Sequence, residues 1–284
     1  MKSVRDVAEL RRIVATARRD GRSIGFVPTM GALHEGHASL VEHSRNDGRF
    51  TVLSIFVNPL QFNDKRDLEG YPITTESDEE LCRSHGVDMV FRPDVATIYP
   101  TGFDTHVVPG RIASTFEGRH RAGHFDGVTT VVLKLFNMVA PDVAYFGCKD
   151  YQQLAVVRQM VRDFNLPIEI VGCPTIREVD GLALSSRNTK LSADARASAP
   201  VLHRALSATA DALRSGAPTV AARSAGLDVL GAVPELLLDY FEIADRDTLA
   251  PVTDDHPTRA VALVAATIGG VRLIDNLEIE GPGK

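Results

Sequence analysis

Apolar residues in the first 60 positions alternate between helical spacing and short continuous runs. Residues 3–19 carry apolar side chains at helical spacing, and Gly21 follows as a stop signal. The runs "SIGFV" (23–27) and "FTVLSIFV" (50–57) are typical of buried strands, and residues 37–48 between them predict a helix. A strand, a helix and a strand in this order predict a βαβ unit and hence a parallel sheet.

The alternation continues to residue 176 and then changes. Further helices are predicted at 76–86, 128–140 and 151–165, and further strands at 87–93, 142–147 and 168–176. The prediction for residues 1–176 is therefore an α/β domain with a doubly wound, Rossmann-like parallel sheet. The segment 192–216 is Ala-rich and helical, and the segments 235–249 and 259–279 indicate a helix end followed by a few strands. Residues 177–284 are predicted to form a smaller α+β domain.

Composition narrows the class of protein. The chain has 284 residues, of which 44% are hydrophobic, so it can bury a sizeable core. A net charge of -6 disfavours a surface that coats nucleic acid, which needs clustered Lys and Arg. No apolar run approaches the ~18 residues that cross a membrane, and no secretory leader is evident. Three widely spaced cysteines suit reduced thiols, so we expect a soluble, cytoplasmic enzyme.

The turn "PTMGALHEGH" (28–37) carries the candidate chemistry. It follows the first buried strand, and ligands of open parallel sheets bind beyond the carboxyl ends of the strands. Gly31 and Gly36 allow close approach of backbone to a ligand, and the following helix N-terminus favours an anion. His34 and His37 add side-chain donors, so the turn is interpreted as a phosphate site. Zinc is disfavoured, because zinc-protease histidines stand four apart.

The motif H-x-G-H resembles the nucleotide-binding signature of class I aminoacyl-tRNA synthetases and nucleotidyltransferases. The longer string "PTMGALHEGHASL" is more specific and resembles the pantothenate synthetase family. Four further blocks resemble that family in the same order, and they span most of the first domain and the junction. These blocks are "SIFVNPLQF" (54–62), "GHFDGVTTVVLKLFN" (123–137), "YFGCKDYQQL" (145–154) and "REVDGLALSSRN" (177–188).

The resemblance implies a two-step, Mg²⁺-dependent ligase that is a homodimer. ATP and pantoate would form pantoyl adenylate and pyrophosphate, and β-alanine would then displace AMP to give pantothenate on the route to coenzyme A. The implied ATP-binding residues are Met30, Gly31, Ala32, Leu33, His34, Glu35, Gly36, His37, Gly147, Cys148, Lys149, Asp150, Ile176, Leu184, Ser185, Ser186 and Arg187. The implied catalytic residues among them are His34, His37, Lys149 and Arg187.

Other residues are implied to bind the acid or the metal. Asn58, Gln61 and Gln153 are the candidates for pantoate and β-alanine, because amides both donate to and accept from a hydroxy acid. Asp78 is a candidate for helping to place Mg²⁺, and Arg121 and His124 border the site.

The chain departs from the family pattern at two positions, with Cys148 where Glu is usual and Leu184 where Met is common. Two other functions stay open at this point. One is a nucleotidyltransferase that stops after transferring AMP, and the other is a non-catalytic nucleotide or tRNA sensor. A panel of acceptors, and turnover itself, would distinguish them.

Overall fold

A computed structural model describes residues 1–63, 65–252 and 257–280. The strands are β1 (Lys2–Val4), β2 (Ile24–Thr29), β3 (Phe50–Ile55), β4 (Met89–Phe91), β5 (Val143–Gly147), β6 (Glu169–Cys173), β7 (Leu237–Asp245), β8 (Arg259–Ile268) and β9 (Val271–Glu280). The α-helices are α1 (Val7–Arg19), α2 (Glu35–Asn46), α3 (Lys65–Glu69), α4 (Thr75–Ser84), α5 (Val95–Ile98), α6 (Phe116–His120), α7 (His124–Val139), α8 (Tyr151–Asp163), α9 (Ala193–Ser198), α10 (Val201–Arg214) and α11 (Thr219–Gly231).

The chain forms two compact units. The first comprises residues Met1–Cys148 and Gln153–Pro174, and the second comprises Lys149–Gln152 and Thr175–Lys284. The short segment Lys149–Gln152, which lies inside the first predicted domain, therefore groups with the second unit.

The first unit is built on a parallel sheet with the strand order β1-β4-β3-β2-β5-β6. From β2 the chain moves through β3 to β4 on one side, and later returns to place β5 on the other side of β2. Such a reversal creates a crevice beyond the carboxyl ends of the central strands, where ligands of doubly wound sheets bind. The predicted fold class is confirmed.

Two separate apolar clusters cover the two faces of this sheet. On one face Phe26 packs in a cluster with residues of α1, α7 and α8, and on the other face Val27 packs with residues of α2 and α4. Neighbouring residues of a strand point to opposite faces, so a strand covered on both sides must be apolar throughout. This explains why the central strands are continuous apolar runs in the sequence.

The second unit places helices α9, α10 and α11 with an antiparallel sheet of order β7-β8-β9. Its core includes Leu202 and Leu206 of α10 and Val264 of β8. Gly269 and Gly270 join β8 to β9, and both have positive φ angles of 55° and 78°. Glycine tolerates such angles without steric cost, so the pair permits the tight reversal.

Most predicted elements of the first unit are present, with ends close to the expected ones. The sequence prediction did not include β1, the short helices α3, α5 and α6, or α11. It expected a helix end before the strands of the segments 235–249 and 259–279, whereas β7 already begins at Leu237. Within the described ranges no helix has both the length and the apolar character that a membrane crossing requires.

Candidate active site

The turn after β2 reverses the chain through two residues in the left-handed region. Gly31 has a φ of 88° and Ala32 a φ of 50°, the second being a conformation that residues with a Cβ rarely adopt. Thr29 secures the start of the turn, because its hydroxyl donates to the Ser54 carbonyl at 2.7 Å. The turn delivers the chain to α2, with His34 as the N-cap residue.

His34 and His37 cap α2 reciprocally through backbone hydrogen bonds. The Gly36 N–H donates to Nδ1 of His34 at 3.1 Å, and the His34 N–H donates to Nδ1 of His37 at 3.3 Å. A ring nitrogen that accepts a hydrogen bond carries no proton, so the proton of each neutral imidazole lies on Nε2. The ring centroids are 4.2 Å apart, which makes the two rings a closely packed pair of Nε2–H donors.

Such a pair suits phosphate oxygens. The first N–H groups of α2 and its positive dipole end add to the attraction for an anion at the same place. Met30, Leu33 and Glu35 occupy the same turn, with Glu35 exposed and the other two half-buried. The turn therefore combines the features that the sequence predicts for a phosphate site.

The carboxylate of Asp78, on α4, accepts hydrogen bonds from the backbone of this turn. The side chain is 2% exposed, and its Oδ2 accepts from the Ala32 N–H at 3.1 Å. Its Oδ1 accepts from the Leu33 N–H at 2.8 Å and from the Thr74 hydroxyl at 2.9 Å. Consecutive backbone N–H groups form an anion-binding concavity, and here an internal carboxylate fills it.

Hydrogen bonds within the protein already use much of the Asp78 carboxylate, and its part in placing Mg²⁺ stays a prediction. Both of its oxygens already accept hydrogen bonds, two of them from backbone groups that have fixed positions. The described residues also contain no group of three or more His, Cys, Asp or Glu side chains arranged to hold a metal ion. Asp78 fixes the backbone of the turn that carries the two histidines.

The predicted acid-binding amides follow β3. Asn58 is 1% exposed and Gln61 is 8% exposed, and both lie at the 3₁₀ turn Pro59–Gln61. Asn58 donates through Nδ2 to Oε1 of Gln61 at 3.0 Å, and Nε2 of Gln61 lies 3.2 Å from the sulfur of Met30. The structure thus brings these two amides together with the turn after β2.

Arg121 and His124 hold the same 3₁₀ turn by its backbone. Nδ1 of the buried His124 lies 2.8 Å from the Gln61 carbonyl oxygen, which can only accept, so this nitrogen carries the proton. Nε2 of His124 is then an acceptor, and the guanidinium of Arg121 donates to it at 3.1 Å. Arg121 and His124, which the sequence predicts at the border of the site, therefore hold the backbone carbonyl of Gln61.

The remaining predicted site residues of the first unit lie at the ends of β5 and α8. Gly147 is the last residue of β5, Cys148 follows it, and Gln153 is half-buried in the first turn of α8. The Cys148 sulfur packs beside the backbone of Gly172 on β6, 3.1 Å from where a Cβ on that glycine would lie. Cys148 thus packs against a strand edge of its own unit.

Lys149 belongs to the second unit. Its ammonium lies 3.7 Å from the Asp150 carboxylate, and its backbone carbonyl accepts from the Asn276 side chain at 2.8 Å. The segment that carries it is therefore anchored to β9 of the same unit.

The "LALSSRN" segment is also anchored within the second unit. Arg177 pairs in a bidentate manner with Asp275 of β9, with N–O distances of 2.6 and 2.9 Å. The Leu184 N–H donates to the Ile176 carbonyl, which links the "LALSSRN" segment (182–188) to the residue before Arg177. Ser185 caps the following 3₁₀ turn Ser186–Lys190, because its hydroxyl accepts from the Arg187 N–H at 3.2 Å.

Sequence reasoning missed three residues that contact these groups, namely Thr74, Tyr99 and Gly127. Thr74 donates to Asp78, Tyr99 donates to Asn58, and the Gly127 carbonyl accepts from Asn58. Gly127 alone carried a sequence signal, since a glycine inside an apolar helix often marks a close approach of backbone. A Cβ there would lie 2.4 Å from the Leu60 oxygen.

Comparisons with known proteins find relatives over nearly the whole chain. Residues 2–278 match the family model described as pantoate-beta-alanine ligase. A pantothenate synthetase of Caldicellulosiruptor saccharolyticus is 48% identical over 281 residues, which cover 99% of this chain and 100% of that protein.

Solved structures extend the similarity to the fold. A pantothenate synthetase crystal structure from Thermus thermophilus is 49% identical, with a TM-score of 0.93 over 99% of this chain and 100% of that chain. A pantoate-beta-alanine ligase from Francisella tularensis, complexed with beta-gamma ATP and beta-alanine, is 34% identical. Its TM-score is 0.80 over 98% of this chain and 97% of that chain.

Proposed function

The chain belongs to the pantoate–β-alanine ligase family, and from that premise we propose how it joins pantoate to β-alanine with cleavage of ATP to AMP and pyrophosphate. The observation that carries the proposal is the reciprocal capping of α2 by His34 and His37. It leaves the ring proton on Nε2 in two imidazoles that lie at the N-terminus of α2, where an anion is favoured.

In the first step a pantoate carboxylate oxygen attacks the α-phosphorus of ATP. A bond forms between that oxygen and phosphorus, the bond from phosphorus to the bridging oxygen breaks, and pyrophosphate leaves with the electron pair. His34 and His37 donate through Nε2 to phosphate oxygens whose negative charge grows in the transition state. Because the hydrogen bonds at Nδ1 already orient both rings, little reorganisation is needed when that charge develops.

Asn58 and Gln61 hold the acid for this attack, and Gln153 contributes a third amide. Fixed amides orient the carboxylate, which converts an encounter between two molecules into a reaction of one complex. In the second step the neutral amine of β-alanine attacks the acyl carbon of pantoyl adenylate. The C–N bond forms, the acyl C–O bond breaks, the nitrogen releases a proton, and AMP leaves with its phosphate oxygen.

We assign the triphosphate contacts of the second unit to Lys149, Ser186 and Arg187. A lysine ammonium serves as a mobile point charge, and an arginine fork matches phosphate oxygens in a bidentate manner. The adenine-side contacts assigned by family resemblance are Ile176 and Leu184, and Leu184 preserves the volume and apolarity of the methionine common in the family. Support for these roles comes from the block matches and from the anchoring of both segments on β9.

Mg²⁺ enters this scheme mainly with the phosphates of ATP, and Asp78 is the side chain proposed to help place it. Magnesium in such sites keeps several waters and binds mainly to substrate phosphates, which agrees with the hydrogen-bonded state of Asp78. The three free cysteines support the expected cytoplasmic location. A homodimer is the assembly that the family resemblance implies.

The test is pyrophosphate release from ATP and Mg²⁺ with pantoate, with and without β-alanine. We expect release that requires pantoate, and continuous turnover with AMP formation only when β-alanine is present. His37→Ala should lower the rate by about 10²–10³-fold, the usual cost of removing a donor from developing charge. His43→Ala is the matched control, because His43 lies exposed in the last turn of the same helix.

Equal loss of activity in both histidine variants would contradict the assigned role of His37. Absence of pantoate-dependent release in the wild type would contradict the proposed reaction itself. In that case a panel of phosphorylated acceptors would test transfer of AMP without ligation.

A further inference from the structure

Tyr99 follows the short helix α5, and its side chain contacts Asn58, one of the predicted acid-binding amides. Its hydroxyl donates to Oδ1 of Asn58 at 2.7 Å. The ring packs 6.1 Å from the Phe56 ring and 4.9 Å from the Phe103 ring, measured between centroids. The Lys134 ammonium lies 4.7 Å from the centroid of the Phe103 ring, so the aromatic pair is itself held in place. Burial raises the pKa of the Tyr99 phenol, which therefore remains a donor.

Backbone groups define which end of the Asn58 amide is oxygen. The Leu60 N–H can only donate, and it faces Oδ1 of Asn58 at 3.3 Å. The Gly127 carbonyl can only accept, and it faces Nδ2 at 3.0 Å. These fixed partners leave one orientation for the amide. In that orientation Oδ1 is the atom that the Tyr99 hydroxyl reaches.

The orientation of Asn58 is passed on to Gln61. Nδ2 of Asn58 donates to Oε1 of Gln61 at 3.0 Å, so the oxygen of Gln61 is turned towards Asn58. Nε2 of Gln61 lies at the opposite end of the amide, 3.2 Å from the Met30 sulfur. The side-chain oxygen of Gln61 is therefore used by Asn58, and its NH₂ group is the end that can donate to a ligand.

We propose that Tyr99 is a positioning residue for pantoate binding, whose hydroxyl locks the Asn58 amide so that Gln61 offers Nε2 as a donor to a pantoate oxygen. This inference rests on the proposed function, since it takes Gln61 as a ligand of the acid. The shorter of the two bonds to Oδ1 of Asn58 comes from Tyr99, at 2.7 Å against 3.3 Å from the Leu60 backbone. Loss of the hydroxyl leaves the longer bond as the remaining hydrogen bond to Oδ1, while the Gly127 carbonyl still accepts from Nδ2.

Tyr99→Phe removes the hydroxyl and keeps the ring that packs on Phe56 and Phe103. We expect the KM for pantoate to rise about 3–10-fold, the worth of one neutral hydrogen bond, with the KM for ATP changed by less than about twofold. A general loss of folding would not separate the two constants in this way. Circular dichroism and thermal unfolding of the variant check that it is folded.

Tyr145→Phe is the matched control. The Tyr145 ring is fully buried in the same unit, and its hydroxyl donates to Asp47 at 2.5 Å and accepts from Arg49 at 3.0 Å. These partners lie near the amino end of β3, whereas Asn58 follows its carboxyl end. The control loses a phenol hydrogen bond too, so it should unfold more easily while both KM values stay as in the wild type.

A double-mutant cycle tests whether Tyr99 acts through Asn58. In an Asn58→Ala background the Tyr99→Phe change should raise the KM for pantoate by less than about twofold further, because its hydrogen-bond partner is gone. An unchanged KM for pantoate in Tyr99→Phe, an equal rise in Tyr145→Phe, or an undiminished effect in the Asn58→Ala background would each overturn the inference. Failure of the proposed function would be seen separately, because the wild-type enzyme would then show no pantoate-dependent pyrophosphate release.

Discussion

Replacing Asp78 by Asn tests whether this carboxylate shapes the phosphate-binding turn. An asparagine has the same size, and its oxygen can still accept from the Leu33 N–H and the Thr74 hydroxyl. Its NH₂ group would then face the Ala32 N–H, where the carboxylate Oδ2 now accepts at 3.1 Å. The variant therefore loses one hydrogen bond. The Ala32 N–H, which has an acceptor in the wild type, would face another donor at a buried position.

The expected change in the free energy of unfolding follows from these contacts. A hydrogen bond to a charged group contributes about 1.5–3 kcal/mol, and a buried unsatisfied donor costs about 1–3 kcal/mol. Since both figures describe the same lost contact, they are not added, and we expect the free energy of unfolding to fall by about 1.5–3 kcal/mol, which a domain of ordinary stability survives. We also expect kcat/KM for ATP to fall at least about tenfold, because the strained backbone at Ala32 relaxes and displaces the histidines.

The assay combines urea unfolding with steady-state pyrophosphate release at varied ATP. Asp88→Asn is the matched control, since Asp88 accepts from the Thr51 N–H at 2.8 Å and pairs with Arg22 just before β4. This control should lose stability and keep the KM for ATP. An Asp78→Asn enzyme with wild-type stability and wild-type kcat/KM for ATP would refute the assigned role of the carboxylate.

Three further outcomes are expected. Gly127→Ala should raise the KM for pantoate, because the added Cβ would lie 2.4 Å from a backbone oxygen of the 3₁₀ turn, whereas Gly231→Ala, with open space around it, should not. Cys82 and Cys173, whose pKa values burial raises to about 12, should resist iodoacetamide in the native protein and react once it is unfolded, as peptide mass spectrometry will show. Burial chiefly lowers the pKa of His203 below its usual 6.5, so the unfolded state takes up this proton first as the pH falls. The free energy of unfolding should therefore decrease below about pH 6.5, and His203→Gln should reduce that slope in urea titrations; an unchanged slope would contradict this reasoning.

The fold of the first unit was predictable because its apolar pattern and its packing agree. Continuous apolar runs mark strands that helices cover on both faces, as for β2 and β3. β1 was missed because only one of its three residues is buried, which leaves no pattern. The leucines at 236–238 favour a helix locally, but pairing of Leu237 and Leu238 with β8 overrides that preference.

The site could be predicted only where the interacting residues are close together in the sequence. His34 and His37 share one turn, and their spacing together with the glycines indicated an anion site. Asp78 contacts Ala32 from 46 residues away and Tyr99 contacts Asn58 from 41 residues away, so no local spacing reveals either contact. The role of Asp78 in holding the turn was missed for the same reason, since the sequence shows a carboxylate but not the backbone groups that donate to it.

The central claim is that pantoate is activated as an acyl adenylate, and oxygen labelling tests it most directly. Pantoate carrying ¹⁸O in its carboxylate is incubated with ATP, Mg²⁺, β-alanine and the enzyme, and the products are analysed by mass spectrometry. Attack on the α-phosphorus followed by cleavage of the acyl C–O bond transfers one labelled oxygen to AMP. We expect one ¹⁸O in AMP and none in pyrophosphate, and pantothenate formed alongside unlabelled AMP would contradict the acyl adenylate.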